Sequence, residues 1–330
     1  MHHHCKQFGA LLKEWRRAKQ VSQLTLATEA DISQRHLSFI ESGRAQPSRD
    51  MVLRIAATLD LPLRARNELL GTAGFAAFFP ERPLAADELK RATEALERIL
   101  THHNPYPAYV LDRSWSIVMS NAAAWRLIAR CADASILAEL GSNQPLNFMR
   151  LMFHPKGICR RIRNWERIAR ILVARLRREV LSDPGSPSEA LLRELLPRIE
   201  KAGSHRSEDL ALSPTIPFEL DVDGHVFRLF NTLTTFGTPQ DVTLQELRIE
   251  MSFPLDDASD ALLREWADSI CSPTIERRPS LVLVPELPNQ LYGPAPDGEK
   301  EVTVEDVSAT AKPPVAWNNA RSAAHPKRPR

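Results

Sequence analysis

Apolar residues recur at helical spacing through the first eighty positions, and polar residues separate the sets. No alternating strand pattern interrupts them, which predicts a small all-α domain over residues 8–80 behind a flexible N-terminus at 1–7. The sets, in chain order, are Phe8-Leu11-Leu12-Trp15, Leu24-Leu26-Ala27, Leu37-Ile40 and Val52-Ile55-Ala56-Leu59.

After a short linker at 81–86 the pattern mixes helices with β-hairpins, which predicts an α+β domain over 87–272. The predicted elements are a helix from Asp87, strands at 109–111 and 116–119, a helix at 122–130 capped by Asn121, helices at 164–181 and 188–201, strands at 225–236 and 246–253, and a helix at 257–270.

Two of these elements invite a closer interpretation. In 246–253 apolar and polar residues alternate. This pattern predicts a strand in which Leu247 and every second residue after it lie in the core, while Glu250 and Ser252 lie in solvent. The helix at 164–181 is rich in arginine, which is typical either of nucleic-acid contact or, more often, of a solvated face whose arginine stems cover apolar surface.

The stretch 273–330 is rich in proline and poor in clustered apolar residues, so we expect a largely disordered tail. Its basic end at 327–330 would contact DNA or simply aid solubility.

Overall composition excludes several classes of protein. The formal net charge is only +2, although residues 1–80 hold 11 Lys and Arg against 7 Asp and Glu, so a nucleic-acid partner must be argued locally. There is no run of about eighteen apolar residues, so no membrane span is expected. The four cysteines lie far apart without a C-x-x-C pair, which argues against zinc or disulfides and suits a cytoplasmic protein.

The segment 21–47 has the pattern of a helix, a tight turn and a second helix. Ser22 is placed to cap the first helix, whose buried face is predicted to carry Leu24, Leu26 and Ala27. Ser33 caps the second helix, and Gly43 ends it, because glycine adopts the left-handed conformation at low cost.

A helix of this kind fits the major groove of DNA and presents its first turns to base edges. Gln pairs with adenine and Arg with guanine, while Gln23, Arg44 and Arg49 are placed for phosphate contacts. The candidate DNA-binding residues are Ser22, Gln23, Ser33, Gln34, Arg35, Ser38, Phe39, Arg44 and Arg49.

Residues 8–70 resemble the XRE family of lambda-repressor-like helix-turn-helix proteins, through Ser22-Gln23, Ile40-Glu41-Ser42-Gly43-Arg44 and Pro47-Ser48. The resemblance implies DNA contacts at Gln23, Gln34, Arg35 and Ser38. The chain departs from the family at Phe39, where a polar residue is frequent, and this aromatic ring would touch a thymine methyl or simply pack. A helical bundle that only docks a protein is the alternative.

Residues 85–270 resemble the MmyB-like ligand-binding domain, which follows an XRE headpiece and has a PAS-like fold. The resemblance rests on 106–112, 115–121 and 236–243. It implies an apolar pocket for a small molecule, with fatty acids or related acyl compounds as the leading class. The candidate pocket residues are Tyr109, Asn121, Trp125, Met149, Leu151, Trp165, Phe227, Arg228 and Leu247.

Alternatives remain open for this second domain. Its apolar candidates could be core, Asn121 could serve only as a helix cap rather than orient a ligand with Arg228, and the whole domain could serve only for dimerisation.

Enzymatic chemistry is not expected. Asp221 and Asp223 lie in a turn pattern, His102-His103 has no companion at ligand spacing, and no nucleophile has an evident base. We therefore expect no enzyme, metal or cofactor. We expect a homodimer on a pseudo-palindromic double-stranded operator whose affinity responds to a small apolar ligand, because two half-sites multiply specificity.

Overall fold

The computed structural model describes residues 2–142, 145–201, 215–268 and 281–283. The first part of the chain, called the headpiece below, is a bundle of five helices. They are α1 (His2–Ala18), α2 (Gln23–Glu29), α3 (Gln34–Glu41), α4 (Arg49–Thr58) and α5 (Leu63–Thr72). Helix α1 begins at His2, so residues 2–7, expected to be flexible, extend it.

Serines begin three of these helices. Ser22, Ser33 and Ser48 have extended backbones, and each hydroxyl accepts a backbone N–H of the following first turn. Gly43 follows α3 at φ 71°, as its position predicts. One expectation is wrong: Leu24 does not join the buried face of α2 but is 59% exposed.

Gly9 lets α1 and α3 approach closely. A Cβ atom at this position would lie 2.6 Å from the carbonyl oxygens of both Ile40 and Glu41. Only a residue without a side chain fits there, so α3 is pressed directly against the backbone of α1.

The second part of the chain is built on an antiparallel sheet in the order β3-β4-β5-β1-β2-β6. The strands are β1 (Ala108–Leu111), β2 (Ile117–Asn121), β3 (Phe218–Val222), β4 (His225–Thr234), β5 (Arg248–Pro254) and β6 (Leu281–Leu283). Asp223 and Gly224 turn the β3–β4 hairpin with positive φ angles, as the turn pattern predicts. The α+β, PAS-like arrangement expected for this domain is confirmed.

Helices cover both faces of the sheet. In chain order they are α6 (Lys90–His102), α7 (Ala122–Cys131), α8 (Ala134–Gly141), α9 (Phe148–Phe153), α10 (Trp165–Ser182), α11 (Pro187–Lys201), α12 (Val242–Glu246) and α13 (Asp257–Asp268), with short 3-10 turns at Asp87–Leu89 and Ile158–Arg161.

The expectation for residues 246–253 is wrong in two respects, the position at which the strand begins and the exposure of its polar residues. The residues up to Glu246 form α12, and the strand begins at Arg248. Glu250 and Ser252, expected in solvent, are only 3% and 4% exposed, while Leu247 and Ile249 pack in a separate cluster with Leu96 of α6.

Of the expected tail, only 281–283 lies within the described residues, where it pairs with β2. The rest of 273–330, including the basic end, lies outside them. No helix in the described part of the chain is both long and apolar enough to cross a bilayer.

Candidate DNA interface and ligand cavity

Helix α3 has one buried face and one exposed face. Leu37 and Ile40 are fully buried in the headpiece core. Gln34 and Arg35 are exposed at its first turn, and Ser38 is half-buried beside them. The residue types able to read base edges therefore stand on the open side of a helix anchored by its apolar side.

Phe39 supports Arg35. The Arg35 guanidinium carbon lies 5.4 Å from the centre of the Phe39 ring, a cation–π arrangement. The half-buried ring thus packs against the exposed arginine. The departure at Phe39 from the XRE pattern thus has a local structural role.

Glu41 ties three headpiece helices together. Arg16 of α1 donates to its carboxylate through Nε at 2.6 Å and Nη2 at 3.0 Å, and Gln23 of α2 donates through Nε2 at 2.6 Å. Burial alone would raise the pKa of Glu41, but the hydrogen bonds from Arg16 and Gln23 and the positive charge of Arg16 outweigh it and lower that pKa. The group fixes α2 and α3 in one geometry.

The remaining candidates lie around α3. Ser22 and Ser33 are exposed, but their hydroxyls serve as helix caps. Gln23 is half-exposed with its amide nitrogen held by Glu41. Arg44 and Arg49 are exposed, and the Arg49 guanidinium lies 5.1 Å from the ring centre of Phe78.

A cavity of about 310 Å³ lies in the second domain between α10 and the sheet. This volume falls at the lower end of the range for small-molecule sites. Its apolar walls come from α10, from the chain entering β3, and from β4. The lining residues are Ile168, Ile171, Leu172, Arg175, Thr215, Ile216, Phe218, Phe230, Asn231 and Glu250.

One end of the cavity is polar. Glu250 accepts from Asn231 Nδ2 at 2.8 Å and from Arg175 Nη1 at 3.4 Å. The Nη2 atom of Arg175 is buried without a hydrogen-bond partner among the described residues. A buried guanidinium donor that lacks an acceptor is costly.

Most of the pocket candidates chosen from sequence lie elsewhere in the domain. Tyr109 lines a small neighbouring cavity that shares Phe218 and Asn231 with the larger one, and burial raises the pKa of its phenol. Met149, Leu151 and Phe227 lie fully buried in the main core. Trp125 and Trp165 pack against that core while partly exposed, and Leu247 lies in the cluster around α6.

The two polar candidates are engaged by the protein itself. Asn121 is completely buried, where its Oδ1 accepts from Ala124 and Ala108, and its Nδ2 donates to the carbonyl of Tyr106 at 2.7 Å. Arg228 is exposed and pairs with Glu219 and Asp256.

The sequence interpretation missed Arg175, Asn231 and Glu250. Arg175 lies in the arginine-rich helix interpreted as having a solvated face, but it was not singled out, and the alternation in β5 assigned Glu250 to solvent. The burial of these polar side chains depends on how α10 packs on the sheet, which the sequence pattern of each element does not indicate.

No group of three His, Cys, Asp or Glu side chains suited to a metal ion occurs within the described ranges. There, Cys5, Cys131 and Cys159 are free thiols, and Cys271 lies outside these ranges.

Comparison with known proteins agrees with this architecture. Residues 12–65 match the helix-turn-helix family, and residues 92–265 match the family described as the MmyB-like transcription regulator ligand binding domain.

Curated proteins and solved structures that are similar to this chain include the following three. An uncharacterized HTH-type transcriptional regulator, RghRB of Bacillus subtilis (strain 168), is 27% identical over 37% of this chain and 81% of its own length. The ImmF control region 10 kDa protein of Bacillus phage phi105 is 40% identical over 18% of this chain and 64% of its own length. An RNA-binding light-oxygen-voltage receptor aligns at 15% identity over 81% of this chain and 64% of its own, with a TM-score of 0.24, too low to support any conclusion.

The MmyB-like match spans more than half of the chain and follows the helix-turn-helix match in the order the fold shows. The chain belongs to the family of DNA-binding transcription regulators that join an XRE-like helix-turn-helix to an MmyB-like ligand-binding domain.

Proposed function

We propose that this regulator is a cytoplasmic, non-catalytic homodimer whose affinity for an operator changes when the α10 cavity takes up an acyl compound such as a fatty acid. The observation that carries the ligand proposal is the cavity itself, with apolar walls and one polar end at Arg175. The exposed Gln34 and Arg35 carry the operator proposal.

The cavity favours an elongated apolar molecule with one polar head. Its walls offer isoleucine, leucine and phenylalanine side chains, so the hydrophobic effect supplies most of the binding free energy. Arg175 offers a charged donor to a carboxylate or carbonyl oxygen. The Glu250 carboxylate repels a second negative charge, so a negatively charged head group of the ligand must lie beside Arg175.

Operator binding is tested by selecting duplexes from a random pool with the full chain. Affinity for the selected duplex should fall steeply with salt, since lysine and arginine release counterions from phosphates. Arg35→Ala should relax selection at one base pair by about 1–3 kcal/mol. Unchanged selection by this variant would show that α3 is not the reading helix.

Ligand binding is tested by mass spectrometry of a solvent extract of the purified protein and by thermal shift with sodium decanoate. Arg175→Met should reduce the shift, because the charged donor is lost while the stem still fills space. Arg178→Met, an exposed position on the same helix, is the matched control. Absence of both an extracted molecule and a shift would favour a purely structural second domain.

A further inference from the structure

The headpiece and the second domain meet at a polar junction on α12. Gln245 Oε1 accepts the backbone N–H of Leu63, the first residue of α5, at 2.6 Å. Pro62, which precedes α5, offers no side-chain cap. Because the first turn of a helix has unpaired N–H groups, a residue of the second domain caps a headpiece helix.

Arg64 adds ion pairs to this contact between α5 and α12. It donates to Glu246 through Nε at 2.7 Å and Nη2 at 3.0 Å, and to Glu81 through Nη1 at 2.9 Å. Beside this ion pair, buried Val242 of α12 packs with Leu63 and Phe79. The start of α5 is therefore joined to α12 by a hydrogen bond, an ion pair and apolar packing.

The junction is continuous with the polar end of the cavity. Glu246 pairs with Arg113 at 3.3 Å, and the Arg113 carbonyl accepts from Arg248 Nη2 at 3.2 Å. Arg248 in turn pairs with Glu179 of α10.

Glu179 lies one helical turn from Arg175, with Arg175 Nε 3.9 Å from its carboxylate. Glu250, the other partner of Arg175, follows Glu246 by only four residues through the start of β5. Both routes from the cavity thus end at α12.

We propose that α12 couples the cavity to the DNA-binding headpiece. A head group that binds Arg175 draws this side chain away from Glu250, which belongs to β5, and from Glu179, which also pairs with Arg248. The loss of these contacts shifts α12, and the shift of α12 moves the start of α5. This proposal rests on the proposed function, since it names how the same cavity regulates DNA binding. The ligand shifts the equilibrium only by its different contacts in the two arrangements.

The first experiment compares the native chain, a junction variant combining Gln245→Ala with Glu246→Gln, and a control, Glu189→Gln. The control removes one Arg–Glu pair, with Arg193, from the surface of α11. Each protein is titrated with the selected operator, with and without saturating sodium decanoate. Thermal shift with decanoate checks that all three retain the cavity.

Decanoate should change the operator Kd of the native chain and the control by about fivefold or more, a usual size for allosteric coupling. The junction variant should bind decanoate and operator yet show a change below about twofold. Retention of the full change by the junction variant overturns the proposal.

A second experiment needs neither ligand nor DNA. Arg175→Met in the ligand-free chain should increase hydrogen exchange at residues 63–66 on the order of fivefold, the change expected when one hydrogen bond weakens. Exchange in α2 should stay unchanged, as should exchange at 63–66 in Arg178→Met. Unaltered exchange at 63–66 in Arg175→Met also overturns the proposal.

The two experiments separate the possible failures. If decanoate leaves the native chain unaffected, the proposed ligand response fails, and the exchange measurement alone decides whether cavity and junction are linked.

Discussion

Glu41→Gln tests whether the buried Arg16–Glu41 pair holds the DNA-binding helices in place. The substitution keeps the shape of the side chain but leaves the Arg16 guanidinium, in a residue only 9% exposed, without a counter-charge. Breaking a buried pair from one side costs about 3–5 kcal/mol. We expect the lower end, because Arg16 Nη1 keeps its bond to the Val21 carbonyl at 2.9 Å.

The assay is scanning calorimetry of the full chain together with operator binding. A loss of about 3 kcal/mol corresponds to a decrease in Tm of roughly 12–24 °C for a domain of this size. Replacing both partners, Arg16→Met with Glu41→Leu, should restore most of the stability, because no unpaired charge remains buried. Operator affinity should stay reduced in the double variant, since Gln23 has lost the carboxylate that orients it.

The pH dependence gives an independent check. The lowered pKa of folded Glu41 means that its contribution is complete above the pKa of the unfolded carboxyl, about 4.3, and is lost as pH falls through the folded value. The stability difference between the native chain and Glu41→Gln should therefore shrink on acidification. Equal stability at pH 7, or a difference that does not shrink as the pH falls below the pKa of the unfolded carboxyl, would refute this reasoning.

Three further outcomes follow from the geometry. Gly9→Ala should destabilise the headpiece by about 1–3 kcal/mol in urea unfolding, because its methyl group meets two carbonyl oxygens of α3; an unchanged midpoint would contradict this close contact. Arg44→Ala should weaken binding to all duplexes alike and reduce the salt slope by about 1, as measured by fluorescence anisotropy; altered base preference would show that Arg44 reads sequence. Asn121→Ala should lower stability by about 2 kcal/mol or more, since the four hydrogen bonds of a fully buried side chain are lost, and a stable variant that only loses decanoate binding would place Asn121 in the ligand site.

Features set by neighbouring residues were predictable from sequence. Ser33 and Gly43 mark the ends of α3 because caps and left-handed turns depend on a few adjacent positions. Leu37 and Ile40 were assigned correctly to the core, since helical periodicity decides which face is buried.

Features set by distant residues were not predictable in this way. Glu250 alternates like a surface residue, yet α10 covers it, and nothing within β5 encodes that cover. Arg64 and Glu246 are separated by 182 positions, so their contact depends on how two domains dock. Leu24 shows the opposite case, an apolar residue at a plausible position that the fold leaves exposed.

The bond from Leu63 to Gln245 bears on how this protein should be divided for study. A fragment cut after residue 80 would contain every base-reading candidate but would begin α5 with an amide whose acceptor had been removed. Its last helix should fray, and the fragment would report the DNA contacts of a headpiece released from its neighbour. Measurements on such a fragment would describe a different starting state from that of the intact regulator.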